Sequence, residues 1–194
     1  MIHNEVLDCI RARRSTRQFQ ERQIEPGHLE ALLDAAVWAP SGNNNQSWLF
    51  TAVQNREALL KINELVREGF LRWASGDDSP GKADARASAQ RPDYHCFYHA
   101  PTLIIASNRP NYANAMADCS LALENIFLAA HSLGLGSCYI NQLHWLEDDP
   151  PLRAYLAELG VPREHTICSS AAVGYIAEES RPPLRRDGAV HIIR

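Results

Sequence analysis

The sequence predicts an α+β or mixed α/β layered protein, and three observations carry that prediction. Helical and strand patterns alternate along the chain: two helices, then strand, helix, strand, helix, strand, helix and strand. Short apolar runs, such as PTLIIAS at 101–107, have the length and content of buried strands. One long segment, 112–133, is apolar almost all round the helical wheel, which requires burial on nearly every side and points to a central helix, buried again at a subunit interface. The 194 residues suffice for one domain with a real core, and neither a repeat nor a boundary divides them, so 1–194 is expected to be a single domain.

Residues 4–14 read as a first helix with Val6, Leu7 and Ile10 on one face. Then comes RRSTRQF at 13–19, in which Arg13, Arg14 and Arg17 bracket the hydroxyls of Ser15 and Thr16. Guanidinium groups fork onto phosphate oxygens, and hydroxyls with backbone N–H groups complete such a cradle. Taken alone, the run also fits a solvated basic turn, as most charge runs do. Pro26-Gly27 closes the polar stretch, and a second helix at 28–38 carries Leu29, Leu32, Leu33, Ala36 and Val37 at helical spacing. Ala39-Pro40-Ser41-Gly42 ends it.

Residues 41–47 hold four carboxamides and two serines directly before an apolar strand at 48–53. Asparagine favours turns because it tolerates positive φ, so a polar turn and a ligand-binding loop both fit. A third helix covers 56–70, with Leu59, Leu60, Ile62 and Val66 apolar. The stretch 71–95 reads as a long connection, flanked by Phe70, Trp73 and Tyr94, which either cap the core or line a pocket.

After the strand at 101–107 and the helix at 112–133, Gly134 is placed as the left-handed residue that ends the helix before a strand reaching Ile140. A helix followed by a strand, with no third glycine, is not a dinucleotide fingerprint. A short helix at 151–159 is expected to be capped by Asp148 or Asp149, with Pro150 and Pro151 at its first positions and Gly160 with Pro162 at its end. A last strand spans 166–176. The tail at 178–194 contains Arg181, Arg185, Arg186 and Arg194, a second basic cluster that could meet the first.

Net charge of −4 and a pI near 6.0 argue against a nucleic-acid coat protein or a polybasic membrane binder. No run of about 18 apolar residues could span a bilayer. The opening MIHNEVLDCIRARR lacks the apolar run of a signal peptide, and five cysteines without a C-x-x-C pair suit reduced thiols, so a cytoplasmic protein is expected. His95-Cys96-Phe97-Tyr98-His99 lacks the second ligand pair that structural zinc requires, so no metal is expected.

Four segments in order resemble the FMN-dependent nitroreductase family across essentially the whole chain. ARRSTRQF resembles its N-terminal arginine–serine motif, and APSGNNNQSWLF its helix end, proline–serine turn and strand. YHAPTLIIAS with ADCSLALENIFLAAHSLGLGSCYI resembles its strand, long helix and glycine turn, and GYIAEESRPPL its closing segment. The resemblance implies an α+β fold, a three-layer α/β/α sandwich with a mostly antiparallel sheet, as an intertwined homodimer with a flavin at each of two interface sites. It implies that Arg13 and Ser15, with the neighbouring Arg14, hold the FMN phosphate, that Arg17 approaches the N1/O2 edge, and that the backbone at Gly136 faces the N5/O4 edge. Pro40, Ser41, Gly42 and Asn44 would contact the flavin of the other subunit, and Arg181 would return to the phosphate.

Two departures from the family stand out. No lysine precedes the 101–107 strand, where the chain reads Arg91-Pro92-Asp93-Tyr94-His95-Cys96, leaving Arg17 as the cation for the pyrimidine edge. Some members carry two basic residues where this tail has Glu179 and Arg181.

The implied chemistry is ping-pong transfer of two electrons from NAD(P)H through flavin N5 to a nitroaromatic, quinone or enone, with no protein nucleophile. Family variants that dehalogenate, destroy flavin or oxidise azolines are also compatible. A flavin-storage protein would bind FMN without oxidising NAD(P)H, and a cofactor-free interaction protein would not be yellow.

Overall fold

Four strands form one antiparallel sheet: β1 (Trp48–Val53), β2 (Thr102–Asn108), β3 (Leu135–Ile140) and β4 (Thr166–Tyr175), in the spatial order β1-β2-β4-β3. This is seen in a computed structural model, which describes residues 2–73, 80–178, 180–181, 184–185 and 187–194. The helices are α1 (Glu5–Ala12), α2 (Pro26–Val37), α3 (Arg56–Arg72), α4 (Pro80–Ala89), α5 (Ala115–Ser132), α6 (Gln142–Trp145) and α7 (Pro150–Glu158).

The continuous apolar run of β2 is buried throughout, and its side chains alternate between two cores. Leu103 and Ile105 join α3, α4, α6 and α7 on one face, whereas Ile104 and Ala106 join α2 and α5 on the other. The sheet is therefore the middle of three layers, as the resemblance implies. Full burial of each such side chain contributes ~1.5–3 kcal/mol, so these two clusters outweigh local propensities. The β2–β4 register slips between Ala106 and Ser107, and the resulting bulge resets the alternation. Cys168 and Ala171, three residues apart, consequently both face α5.

Caps explain the helix starts. Asn4 accepts from Leu7 N–H at 2.8 Å and Asn55 from Ala58 N–H at 2.9 Å. Asp149 rather than Asp148 caps α7, accepting from Leu152 N–H at 3.3 Å. Gly134 (φ 72°) and Gly160 (φ 96°) take the left-handed geometry expected after α5 and α7.

The structure corrects two expectations. The 71–95 stretch is not simply a connection, because Pro80–Ala89 is a helix. Its proline start and alanines support a helix, but only the small side chains of Ala85 and Ala89 reach the core, so hydrophobic periodicity is faint. The four-residue α6 also escaped notice, being too short to show a period. Residues 74–79 lie outside the described part. Phe70 is a core residue, fully buried and stacked on Trp73 at 5.6 Å. Helix α5 packs on α2, β3 and β4, yet Leu121 remains exposed. Among the described residues no helix is long and apolar enough to cross a membrane.

Candidate functional site

The segment 13–19 is stitched along the free edge of β3. Ser15 bridges Ser137 in parallel, and Thr16 N–H donates to Ser137 O at 2.9 Å. Further on, Phe19 bridges Ile176, and Gln20 N–H reaches Tyr175 O at 2.9 Å. The close approach depends on Gly136, where a Cβ would lie 2.5 Å from Thr16 Oγ1. Thr16 itself is 3% exposed. Gly136 thus serves first to let the basic segment lie flat on the strand.

At the start of this segment lies a cradle of about 180 Å³, lined by Arg13, Arg14, Thr16, His131, Ser137 and Ser180. Ser180 Oγ donates to Ser15 O at 2.9 Å, which ties the start of the tail to the cradle and leaves the adjacent Arg181 exposed beside it. Glu179 and Arg186 lie outside the described residues. Arg13 Nε stands 3.8 Å from Glu124 Oε1, too long for a strong hydrogen bond. Arg14 differs from expectation: its Nη1 donates to Arg11 O (2.6 Å) and Arg13 O (2.5 Å), clamping the end of α1 as well as lining the cradle. Next to Ser15, the Cys138 thiol is pushed up by burial and drawn back by Arg17, Arg13 and Ser15. Two arginines, a histidine and several hydroxyls form a donor set that fits a phosphate dianion.

At the other end of the segment, Arg17 lines a larger cavity of about 570 Å³ with Tyr94, His95, Tyr98, His99 and Trp145. Arg17 is exposed, its guanidinium lies 5.8 Å from the Tyr98 ring, and interaction with that phenol raises its pKa above the usual arginine value. Among the described residues it forms no ion pair with a carboxylate. Arg91, by contrast, is held by Asp93 at 2.8 Å. His95 Nδ1 accepts from His99 N–H at 3.1 Å, and the two rings lie 3.9 Å apart. Burial, with His99 adding, pushes His95 down to about 4. Burial pushes the Tyr94 phenol up, and its buried hydroxyl has no hydrogen-bond partner among the described residues. Of the three aromatics flanking 71–95, Tyr94 is the one that faces this cavity.

The structure does not bring the 40–46 loop to this segment within one chain. Pro40, Asn44 and Gln46 are exposed near the start of α5. Gly42 N–H donates to Asp118 Oδ1 at 3.1 Å, and Tyr112 OH donates to Asp118 Oδ2 at 2.9 Å. Inside the loop Gln46 N–H donates to Ser41 Oγ at 3.0 Å, and Gln46 Nε2 to Asn44 Oδ1 at 2.8 Å. Asn43, Asn44 and Gln46 all have positive φ, between 47° and 54°. From Asp118 to His131, at the cradle, is about 20 Å along α5 at 1.5 Å per residue. This separation suits a loop that serves another subunit.

Sequence reasoning did not single out Ser137, His131, Ser180, Tyr98 or Asp118. For Asp118 a signal existed, since it is a lone carboxylate on the apolar stripe of α5. The others are recruited by tertiary contact and leave no local pattern.

Comparison with known proteins bears on what this arrangement is. The profile of the Nitroreductase family matches residues 10–175. A nitroreductase from Bacteroides fragilis, solved with bound FMN, superposes with a TM-score of 0.91 at 42% identity, covering 99% of this chain and 100% of that one. A protein of Archaeoglobus fulgidus, provisionally named an NADH dehydrogenase/NAD(P)H nitroreductase, is 33% identical over 175 residues, 90% of this chain and 87% of its own. An FMN reductase [NAD(P)H] of Bacillus subtilis is 28% identical over 195 residues, 97% of this chain and 73% of its own.

Proposed function

The chain belongs to the nitroreductase family, and on that premise we propose that it passes two electrons, in ping-pong fashion, from NAD(P)H to a nitroaromatic, quinone or enone. FMN is the cofactor, as in the Bacteroides fragilis relative. The observation that carries this assignment is a single basic segment, pinned on β3, with a phosphate-sized cradle at one end and an arginine-lined cavity at the other.

When bound, FMN supplies the redox chemistry. Arg13 and the hydroxyls of Ser137 and Ser180, with Ser15 next to the cradle, would hold the phosphate, and Arg181, adjacent to Ser180, would reach it from the tail. Arg14 shapes the cradle while fixing the end of α1. Arg17, not paired with a carboxylate among the described residues, would present a cation to the negative charge of the reduced cofactor. The backbone at Gly136 would face the cofactor edge, as the family resemblance implies, and the Tyr94 and Trp145 side of the cavity would shape the acceptor space.

The working form is a homodimer in which Pro40, Ser41, Gly42 and Asn44 reach the flavin of the partner subunit. Exposed apolar side chains support that association: Val6 and Ile10 on α1, Trp38, and Val190, Ile192 and Ile193 in the tail. A two-fold interface would cover these faces and complete both sites together.

Steady-state oxidation of NADH and NADPH by the FMN-loaded protein, at several concentrations of a nitroaromatic or quinone, tests the assignment. Parallel double-reciprocal lines are expected. Intersecting lines would reject the ping-pong order, and tight FMN binding without NAD(P)H oxidation would indicate storage instead.

A further inference from the structure

We propose that Asp118 is the positioning residue that holds the 41–46 loop in the shape needed by the flavin of the partner subunit. The inference rests on the FMN-dependent dimer proposed above. Asp118 is 3% exposed, in the first turn of α5 on a buried face that is otherwise apolar, and forms no ion pair among the described residues. A buried carboxylate is costly unless its oxygens are satisfied. Here they are satisfied by Gly42 N–H (3.1 and 3.3 Å) and Tyr112 OH (2.9 Å), and the start of α5 favours the negative charge.

The loop needs such an anchor. Apart from Tyr112 OH, which also donates to Gly42 O at 3.1 Å, its other side-chain bonds are internal, Gln46 to Ser41 and to Asn44, and three of its residues sit at positive φ. Strained backbone persists only where its surroundings over-determine it. Gly42 fits so tightly that a Cβ would lie 2.2 Å from Asn114 Nδ2 and 2.6 Å from Tyr112 OH. The anchored side of the loop, at half-buried Gly42, thus rests on Asp118 and Tyr112, while Asn43, Asn44, Asn45 and Gln46 are exposed. A rigid loop with outward-facing carboxamides is organised for a contact beyond its own chain.

The two substitutions at 118 differ in a way the geometry dictates. In Asp118→Asn, Oδ1 still accepts from Gly42 N–H and Nδ2 donates to the Tyr112 oxygen. The Tyr112 proton then goes to Gly42 O, already 3.1 Å away. In Asp118→Ala, both Gly42 N–H and Tyr112 OH lose their acceptor at 118. FMN titration of the apo-protein by flavin fluorescence quenching reads the difference. Asp118→Ala is expected to weaken FMN binding about tenfold (~1.4 kcal/mol), and Asp118→Asn to stay within about threefold of the parent. If Asp118→Ala fails to fold, Tyr112→Phe carries the test, with an expected loss of about threefold.

A purely structural role is separated by subunit mixing. In a hybrid of one Arg13→Ala subunit and one Asp118→Ala subunit, both defects fall on one site if the loop acts across the interface. The hybrid then holds one tight FMN per dimer, although both parent homodimers bind weakly. Unchanged FMN affinity in Asp118→Ala, or a hybrid with no tight site, overturns the proposal. A wild-type protein that binds no FMN overturns instead the functional assignment beneath it.

Discussion

Gly136→Ala perturbs the contact on which the proposed site is built. The added Cβ would stand 2.5 Å from Thr16 Oγ1, 2.7 Å from Cγ2 and 2.8 Å from Cβ. None of these atoms can swing away, because Thr16 is β-branched and buried. Restoring ordinary contact near 3.5 Å requires the basic segment to lift by ~1 Å. That movement lengthens the bond from Thr16 N–H to Ser137 O, now 2.9 Å. Overpacking costs ~1–3 kcal/mol and the weakened hydrogen bond ~1 kcal/mol, together ~2–4 kcal/mol. At ~2–4 °C per kcal/mol for a chain of this size, Tm should fall by roughly 5–15 °C. Thermal melts of the apo-protein and FMN titration check this, and FMN affinity should drop at least ~tenfold because Arg13 and Arg17 move with the segment. Adding Thr16→Ala removes two of the three clashing atoms, so the double mutant should recover ~1 kcal/mol relative to additivity. An unchanged Tm with unchanged FMN affinity would refute the packing argument.

Three further outcomes are expected. Arg13→Ala should weaken FMN binding by ~10–100-fold while leaving riboflavin binding nearly unchanged, because the lost partner is the phosphate; equal losses for both ligands in parallel titrations would remove that role. Arg17→Ala should make the flavin potential more negative by ~30 mV or more, the two-electron equivalent of ~1.4 kcal/mol, and slow turnover; an unchanged potential in a dye-linked titration would show that Arg17 does not act electrostatically. His95 stays neutral in the folded protein down to about pH 4 but takes up a proton near 6.5 when unfolded. Between those values the unfolded state binds more protons, so stability falls on acidification from 6.5 towards 4, and denaturant titrations across that window should show a shallower dependence in His95→Phe.

Much of the layer structure was legible because it rests on local signals. The β2 run, the stripe of α5, Gly134 and a cap at Asp148 or Asp149 each announce themselves within a few residues. Helix α4 did not, since alanines bury little area and give a weak period. The candidate site divides in the same way. Arg13, Ser15 and Arg17 stand out as a run, and the polar loop at 41–47 stands out by composition. Which cavity each residue lines depends on contacts between distant segments: Ser180 on Ser15, Thr16 on Gly136, Tyr98 on Arg17. Arg14 illustrates the limit, because only the three-dimensional structure shows its guanidinium turned onto the carbonyls of Arg11 and Arg13.

The most direct measurement of the central claim is anaerobic stopped-flow mixing of the FMN-loaded protein with NADH and, separately, NADPH, following flavin absorbance. Rapid bleaching by at least one of them is the predicted result, and it identifies the donor. Tightly bound FMN that neither nucleotide bleaches would contradict the assignment of an NAD(P)H-dependent oxidoreductase.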